Sequence, residues 1–452
     1  MKLPIKGVYS LVYASDCSSH GVQLADLPGF ALLESRYQST FGQVLATSHD
    51  APSATTGRYD IIAALPESVH VCSQNTSDPM DWIREVEAQL NAFPGSLALG
   101  LLSFDTGARG LGCHGRSPGK SQAAVYRHYV LQDHHDRRAY LVTDDSDPKG
   151  QQLADRLVRT SGSIASEPQP PFSLDVPFHP DISAQEYRGA IEAIRRYIAA
   201  GDCYQVNYAH RFSSRFSGDT FEAYQRMRHV APGNYSAYLR LNPQHSVLSM
   251  SPERFLSVDG DHVVTQPIKG TRPRGASPEA DSAAARDLLE SSKDRAENIM
   301  ITDLLRNDLG RYCQPGTVVT PELCKLESYA NVHHLVSRIE GCLSPKVSLG
   351  ELLLGCSPGG SITGAPKRRA VEIIQELECA DRGAYCGSVF ALGQDWLQSS
   401  IAIRTLEAID DALFCWGGGG ITYDSDADME YQETLDKVAV FMDALEFDPP
   451  DG

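Results

Sequence analysis

Five prolines fall within fifteen residues, Ser166-Glu-Pro-Gln-Pro-Pro-Phe-Ser-Leu-Asp-Val-Pro-Phe-His-Pro180. Each proline lacks a backbone N–H and holds φ near about −65°, so the stretch cannot run as a helix or a central strand. It reads as a connection, 166–180, between an N-terminal region, 1–165, and a C-terminal region, 181–447. The two regions are expected to form one compact unit. The sequence leaves open whether they share a sheet. Directly after the connection comes a well-marked helix. Ser183 is its N-cap and Glu186 completes a capping box. Tyr187, Ile191, Ile194 and Ile198 make the apolar stripe, and Gly201 ends it.

Elsewhere strands and helices are mixed. Ala124 to Thr143 reads as two strands around a polar turn, and Ser246–Met250 and His262–Thr265 as single strands. Ile401–Leu406 and Ala412–Trp416 read as a hairpin turning near Asp410-Asp411. Helices are predicted over 278–291, 293–309, 366–378 and 427–445. Strands and helices that group without strict alternation favour an α+β fold over a doubly wound parallel sheet.

The bulk numbers narrow the function. A 452-residue chain with 42% hydrophobic and 22% charged residues has the composition of an ordinary globular protein. Its net charge of −18 argues against binding a nucleic-acid backbone. Eleven cysteines make an odd number, and spacings such as Cys313 to Cys324 give no CxxC pair. That excludes a zinc ribbon and fits free thiols in a reducing compartment. The start of the sequence lacks a signal-peptide pattern, and no run approaches the roughly 20 apolar residues of a membrane helix. A cytoplasmic protein without membrane or nucleic-acid partners is expected.

Four segments could carry chemistry. In Pro358-Gly-Gly-Ser361-Ile-Thr363-Gly-Ala-Pro-Lys367, Pro366 suits the first position of a helix. Glycines, hydroxyls and free N–H groups there could hold an anion, and a capped helix after a tight turn reads equally well. Gly417, Gly418, Gly419 and Gly420 follow an apolar strand, where backbone can approach a ligand or simply end a hairpin. In two acidic helices, Glu297 borders an apolar face, and Glu430, Glu433 and Lys437 share one face. Two carboxylates from separate helices suit Mg²⁺, and a solvated face with ion pairs is the plainer alternative. Finally, Glu253 in Ser251-Pro-Glu-Arg-Phe255 precedes Lys269 in Pro267-Ile-Lys-Gly-Thr271. The two could be an acid and a nucleophile, or an ordinary cross-strand ion pair.

Taken in order, these strings resemble the chorismate-utilising enzymes. The resemblance spans roughly 180 to 440 and includes Gly201-Asp-Cys-Tyr-Gln-Val-Asn207, Asp303-Leu-Leu-Arg-Asn-Asp-Leu-Gly-Arg311, His333-His-Leu-Val-Ser337, Ile403-Arg-Thr405 and Tyr431-Gln-Glu-Thr434. It implies a large two-sheet α+β sandwich with outer helices. Lys269 places the resemblance nearest the aminodeoxychorismate synthase component I branch. The anthranilate synthase branch usually has alanine there. Gln205 stands where the water-using branches carry a lysine base, and a neutral amide cannot deprotonate water.

The implied activity is amination of chorismate at C4 with ammonia from a separate glutamine amidotransferase subunit, through a covalent intermediate on Lys269. Glu253 would be the acid. Mg²⁺ would sit on Glu297 and Glu433. Gly270, Thr271, Ser361, Thr363, Tyr385, Arg404, Gly418, Gly419, Gly420 and Lys437 would hold chorismate, with His334 lining the pocket. Leu32-Leu-Glu-Ser35 resembles part of a tryptophan site, to which Ser35, Arg58, Tyr59, Asn234, Tyr235 and Ser236 would contribute. Two alternatives stay open: an anthranilate synthase component I, and a catalytically silent homologue that binds only tryptophan or the glutaminase.

Overall fold

The computed structural model describes residues 8–14, 18–35, 59–73, 78–116, 119–144, 146–159, 170–329 and 332–446. Two antiparallel sheets carry the fold, one of 12 strands and one of 10. They pack face to face through a core of small and branched residues. Ala31, Ala63, Ala237 and Leu239 come from the first sheet, and Leu99, Ala124, Val389 and Ala391 from the second. Alternating strand residues put these side chains on the inner faces, as in other sandwiches. Helices cover the outer faces. Phe30, Phe221, Tyr238 and Phe441 pack one side, and Trp82, Leu352, Ile374 and Phe390 another.

Both sheets draw strands from either side of residues 166–180. Ala31–Ser35 pairs with Tyr235–Asn242 in the first sheet, and Leu97–Leu102 pairs with Ser388–Leu392 in the second. The proline-rich stretch itself ends as Ser173–Pro180, a strand that among the described residues pairs only with Gln205–Ser217. An edge is where a strand containing Pro177 can sit, because no neighbour needs its missing N–H. The helix Ala184–Ala199 has the capping box formed by Ser183 and Glu186, and Gly201 follows it at φ 84°.

Some readings of the sequence need correction. Ala124–Thr143 contains parts of three strands, not two. Ser121–Tyr126 belongs to the second sheet, while Tyr129–Asp133 and Arg138–Val142 belong to the first. Ile401 likewise ends a strand of the second sheet, and the hairpin of the first sheet begins only at Thr405. In both cases apolar residues on either side of a short connection hide a change of sheet. Pro366 is the N-cap, not the first helical residue, because its ψ of 139° is extended and Ala365 still pairs with Gln205.

Candidate active site

The site grows from a double change of sheet. His245–Ser251 lies in the first sheet and Arg254–Asp259 in the second, with Pro252 and Glu253 between them. Running antiparallel alongside, Trp396–Ile401 lies in the second sheet and Thr405–Ile409 in the first. The two crossings are laced together. Ile401 N–H donates to the Glu253 carbonyl at 3.1 Å, Met250 N–H to the Arg404 carbonyl at 2.9 Å, and the Ser251 hydroxyl to the Ile401 carbonyl at 2.6 Å. Arg404 adopts a left-handed φ of 52°, a strained conformation for a residue with a Cβ. Glu253 and Arg404 therefore both sit at a corner of the sandwich.

Lys269 comes from the strand Ile268–Pro273 at one end of the second sheet. A bulge at Gly270 shifts its register, so that Lys269 lies opposite Leu335 and Thr271 opposite His334. Gly270 has φ 80°, and a Cβ there would stand 2.9 Å from Asp294 Cβ and from Leu288 Cδ1. Only glycine fits that bend. Thr271 Oγ1 and His334 Nδ1 are 2.8 Å apart. Burial, aided by the charge of Arg404, pushes His334 down to about 4, so its ring is neutral near pH 7.

The Gly360–Ile362 turn brings Glu253 and Lys269 together. The Ser361 hydroxyl donates to Glu253 Oε1 at 2.6 Å, and Lys269 Nζ donates to the Ser361 carbonyl at 3.1 Å. Glu253 is 7% exposed. Burial raises its pKa, opposed by the Ser361 hydrogen bond and the charge of Lys269. Burial lowers the pKa of Lys269, opposed by Glu253, Glu297 and Glu433 and aided by Lys437. Both groups are thus pushed toward their neutral forms, which an acid and an amine nucleophile need.

The acidic helices meet the glycine strand. A Cβ on Gly419 would lie 3.0 Å from Glu430 Oε2, 3.8 Å from Lys437 Nζ and 3.9 Å from Glu433 Oε1. Lys437 Nζ is 2.6 Å from Glu433 and 2.9 Å from the Gly418 carbonyl. Burial raises Glu297, and the neighbouring charge of Glu433 adds to that rise while Lys269 opposes it. Two carboxylates from different helices that repel each other present an all-oxygen donor pair suited to Mg²⁺. Among the described residues, no group of three or more metal-ligating side chains gathers.

The remaining expected residues separate into two kinds. Arg404 stays open to solvent and pairs with no carboxylate among the described residues, although surrounding protein draws its pKa down. Tyr385 is buried and stacks on Trp416 at 5.6 Å. Thr363, by contrast, is fully buried and its hydroxyl donates to the Gly359 carbonyl at 3.0 Å, which holds the turn. Three of the four glycines also serve packing. A Cβ would lie 2.6 Å from Thr434 O at Gly417, 2.5 Å from Ala209 Cβ at Gly418, and 2.0 Å from Gln205 Nε2 at Gly420.

Supports under the turn were not foreseen. Arg382 is buried and bidentate with Glu378 at 2.7 and 2.9 Å, and also donates to the carbonyls of Ile362 and Asn207. Lys367 is paired with Asp308 at 2.6 Å and donates to the Cys356 carbonyl at 3.0 Å. The available signals were the spacing of Glu378 and Arg382 by four, and Asp308 and Lys367 within two of the quoted strings.

The residues expected to bind tryptophan fall elsewhere. Ser35 lies opposite Tyr235 across two strands, and its hydroxyl donates to the Tyr59 carbonyl at 2.9 Å. Asn234 and Tyr235 line a cavity of about 220 Å³ with Pro252, Arg254, Ile268 and Tyr329. The cavity is bordered by the chain neighbours of Glu253 and Lys269 but by neither of those residues. Ser236 is buried in the strand Tyr235–Asn242, and its hydroxyl donates to the Gly233 carbonyl. Arg58 lies outside the described residues.

Comparison with known proteins agrees with this geometry. The family described as chorismate binding enzyme matches residues 32–443. Aminodeoxychorismate synthase component 1 of Klebsiella aerogenes is 38% identical over 416 residues, covering 86% of this chain and 90% of that protein. An anthranilate synthase component 1 of Haloarcula marismortui is 39% identical over 300 residues, covering 66% and 61%. Among solved structures, anthranilate synthase component I from Streptococcus pneumoniae superposes with a TM-score of 0.73 at 27% identity, over 89% of this chain and 95% of that one. The menaquinone-specific isochorismate synthase of Escherichia coli superposes with a TM-score of 0.75 over 99% and 96%, and at 18% identity it is alike in fold. The match across most of the chain, in sequence and in fold, makes this protein a member of the chorismate-binding enzyme family.

Proposed function

We propose that the protein aminates chorismate at C4, giving 4-amino-4-deoxychorismate for 4-aminobenzoate and folate biosynthesis, with ammonia supplied by a separate glutamine amidotransferase subunit. The observation that carries this reading is Lys269 held beside buried Glu253, with both pKa values pushed toward the neutral forms.

The chemistry follows from those two groups. The neutral amine of Lys269 adds at C2 of the ring, the double bonds shift, and the C4 oxygen leaves as water with the proton of Glu253. Ammonia then adds at C4, the double bonds shift back, and the lysine departs as a neutral amine. A proton from the new ammonium restores Glu253. Arg404 is suited to grip a carboxylate through two parallel hydrogen bonds, and Lys437 offers a single charge. Glu297 and Glu433 would hold Mg²⁺, which when bound would neutralise a substrate carboxylate beside Gly419.

The test is product identification by chromatography and mass. Purified protein is incubated with chorismate, ammonium and Mg²⁺, with and without chelator, alongside Lys269→Ala. Aminodeoxychorismate from the wild type, lost on chelation and lost or replaced by anthranilate in the variant, is the expected outcome. Anthranilate as the main wild-type product would make Lys269 a bystander, and no product at all would favour a silent homologue.

A further inference from the structure

Among the described residues, Ser361 alone hydrogen-bonds to both Lys269 and Glu253. We propose that Ser361 is the positioning residue of this site: its carbonyl aims the Lys269 amine, and its hydroxyl fixes which oxygen of Glu253 carries the acidic proton. The proposal rests on the amination reading above.

A neutral amine has two N–H groups and one lone pair. Giving one N–H to the Ser361 carbonyl turns the lone pair away from the turn, and the lone pair is what attacks. A serine hydroxyl has a single proton, and here Glu253 Oε1 receives it. Oε1 therefore acts as acceptor, and the proton destined for the leaving hydroxyl sits on Oε2. The same bond favours the ionised carboxylate and so limits how far burial raises Glu253.

Such a role requires a stiff turn, and this one is clamped from several sides. Arg382 donates to the Ile362 carbonyl at 3.1 Å and Thr363 to that of Gly359 at 3.0 Å. A Cβ on Gly360 would lie 2.7 Å from Leu304 Cδ2, and one on Gly359 would lie 2.8 Å from Ile401 Cδ1, so side chains close both flanks. A site on rigid support holds its reacting groups in register. The titratable groups facing the pair are Cys386 toward Glu253, and Glu297, Glu433 and Lys437 toward Lys269. Substituting Ser361 leaves all of them in place.

Ser361→Ala removes the hydroxyl and keeps the carbonyl. It is expected to lower kcat about 10- to 100-fold, the scale of a lost hydrogen bond to a charged group, with KM little changed. Losing the bond that favours the carboxylate should also move the limb of the kcat profile that Glu253 sets to higher pH by about one unit. Ser361→Thr should restore both, and Ser361→Cys, a weaker donor, should move the limb part of the way and serves if the alanine variant does not fold. A fall in kcat with an unmoved limb, or one that threonine does not restore, would overturn the proposal. A substrate-free arm separates this from failure of the amination reading. The ¹³C carboxyl resonance of Glu253, identified by its loss in Glu253→Gln, is titrated in each variant. An upward pKa shift in the alanine variant, or a smaller one in the cysteine variant, supports the proposal whatever product the enzyme makes, and an unmoved titration overturns it.

Discussion

At the scale of single residues, burial pushes the pKa values of Lys269 and Glu253 toward their neutral forms. In the proposed amination, Lys269 attacks as a neutral amine and Glu253 donates as a protonated acid. The rate therefore rises with pH as Lys269 loses its proton and falls as Glu253 loses its own. Because burial lowers the first pKa and raises the second, the two limbs draw together compared with free side chains, and they belong to the pair more than to either residue. The expected kcat profile is a bell whose alkaline limb disappears in Glu253→Gln, with kcat lowered about 10²- to 10⁴-fold. Stopped assays across pH measure this directly, and a limb retained in the variant would assign it to another group. His334, held at about 4, adds no limb near neutrality. Lys269 stands out in the sequence because it sits in the string Pro267-Ile-Lys-Gly-Thr271, where the related branch resembling anthranilate synthase usually has alanine. Ser361 was read as part of an anion-binding turn and as a residue that would hold chorismate, not as a link between the two groups, because the partners of its hydroxyl and of its carbonyl lie about 90 to 110 residues away in sequence.

At the scale of elements, the Ser361 turn is as good as its anchors. The Lys367–Asp308 pair joins the helix Lys367–Leu377 to the helix Ser292–Gly310, with both side chains less than 10% exposed. Removing one member of a buried pair leaves a charge without its partner. Asp308→Ala is expected to cost about 3–5 kcal/mol of stability. Asp308→Leu combined with Lys367→Met should recover much of that loss, because no lone charge remains. Denaturant melts of the three proteins decide it, and equal losses in the single and double variants would show that packing outweighs charge. The helices themselves were legible, since capping boxes and 3.6-residue stripes are local. The strands were less so. Ala124–Thr143 and Ile401–Leu406 each looked continuous, because a strand changing sheets keeps its apolar character on both sides of the corner.

At the scale of the molecule, both sheets are built from both regions, so a ligand site can be assembled from distant parts of the chain. Ser35 from the N-terminal region pairs with Tyr235 from the C-terminal one, and the nearby cavity of about 220 Å³ carries Arg254, 5% exposed. We propose L-tryptophan as a ligand at this place. Titration calorimetry on dialysed protein should give saturable binding that Tyr235→Ala weakens at least about tenfold, the scale of a lost aromatic anchor. No heat, or heat unchanged by the variant, would remove tryptophan from the reading. Among the described residues, no helix is long and apolar enough to cross a membrane.

The sequence by itself determined what depends on local order. Helix starts, the exclusion of a helix or central strand from the proline-rich stretch, the residue types an acid and an amine nucleophile would need, and a family resemblance carried by contiguous strings were all readable in it. Only the tertiary structure decided that the two regions share both sheets, that two strands change sheets together to set Glu253 and Arg404 at one corner, and that a single serine joins Glu253 to Lys269. Periodicity and capping act within about one helical turn or a few strand residues, so they can be read along the chain. Sheet partners, corners and buried ion pairs join residues far apart in sequence, and only packing in three dimensions selects them.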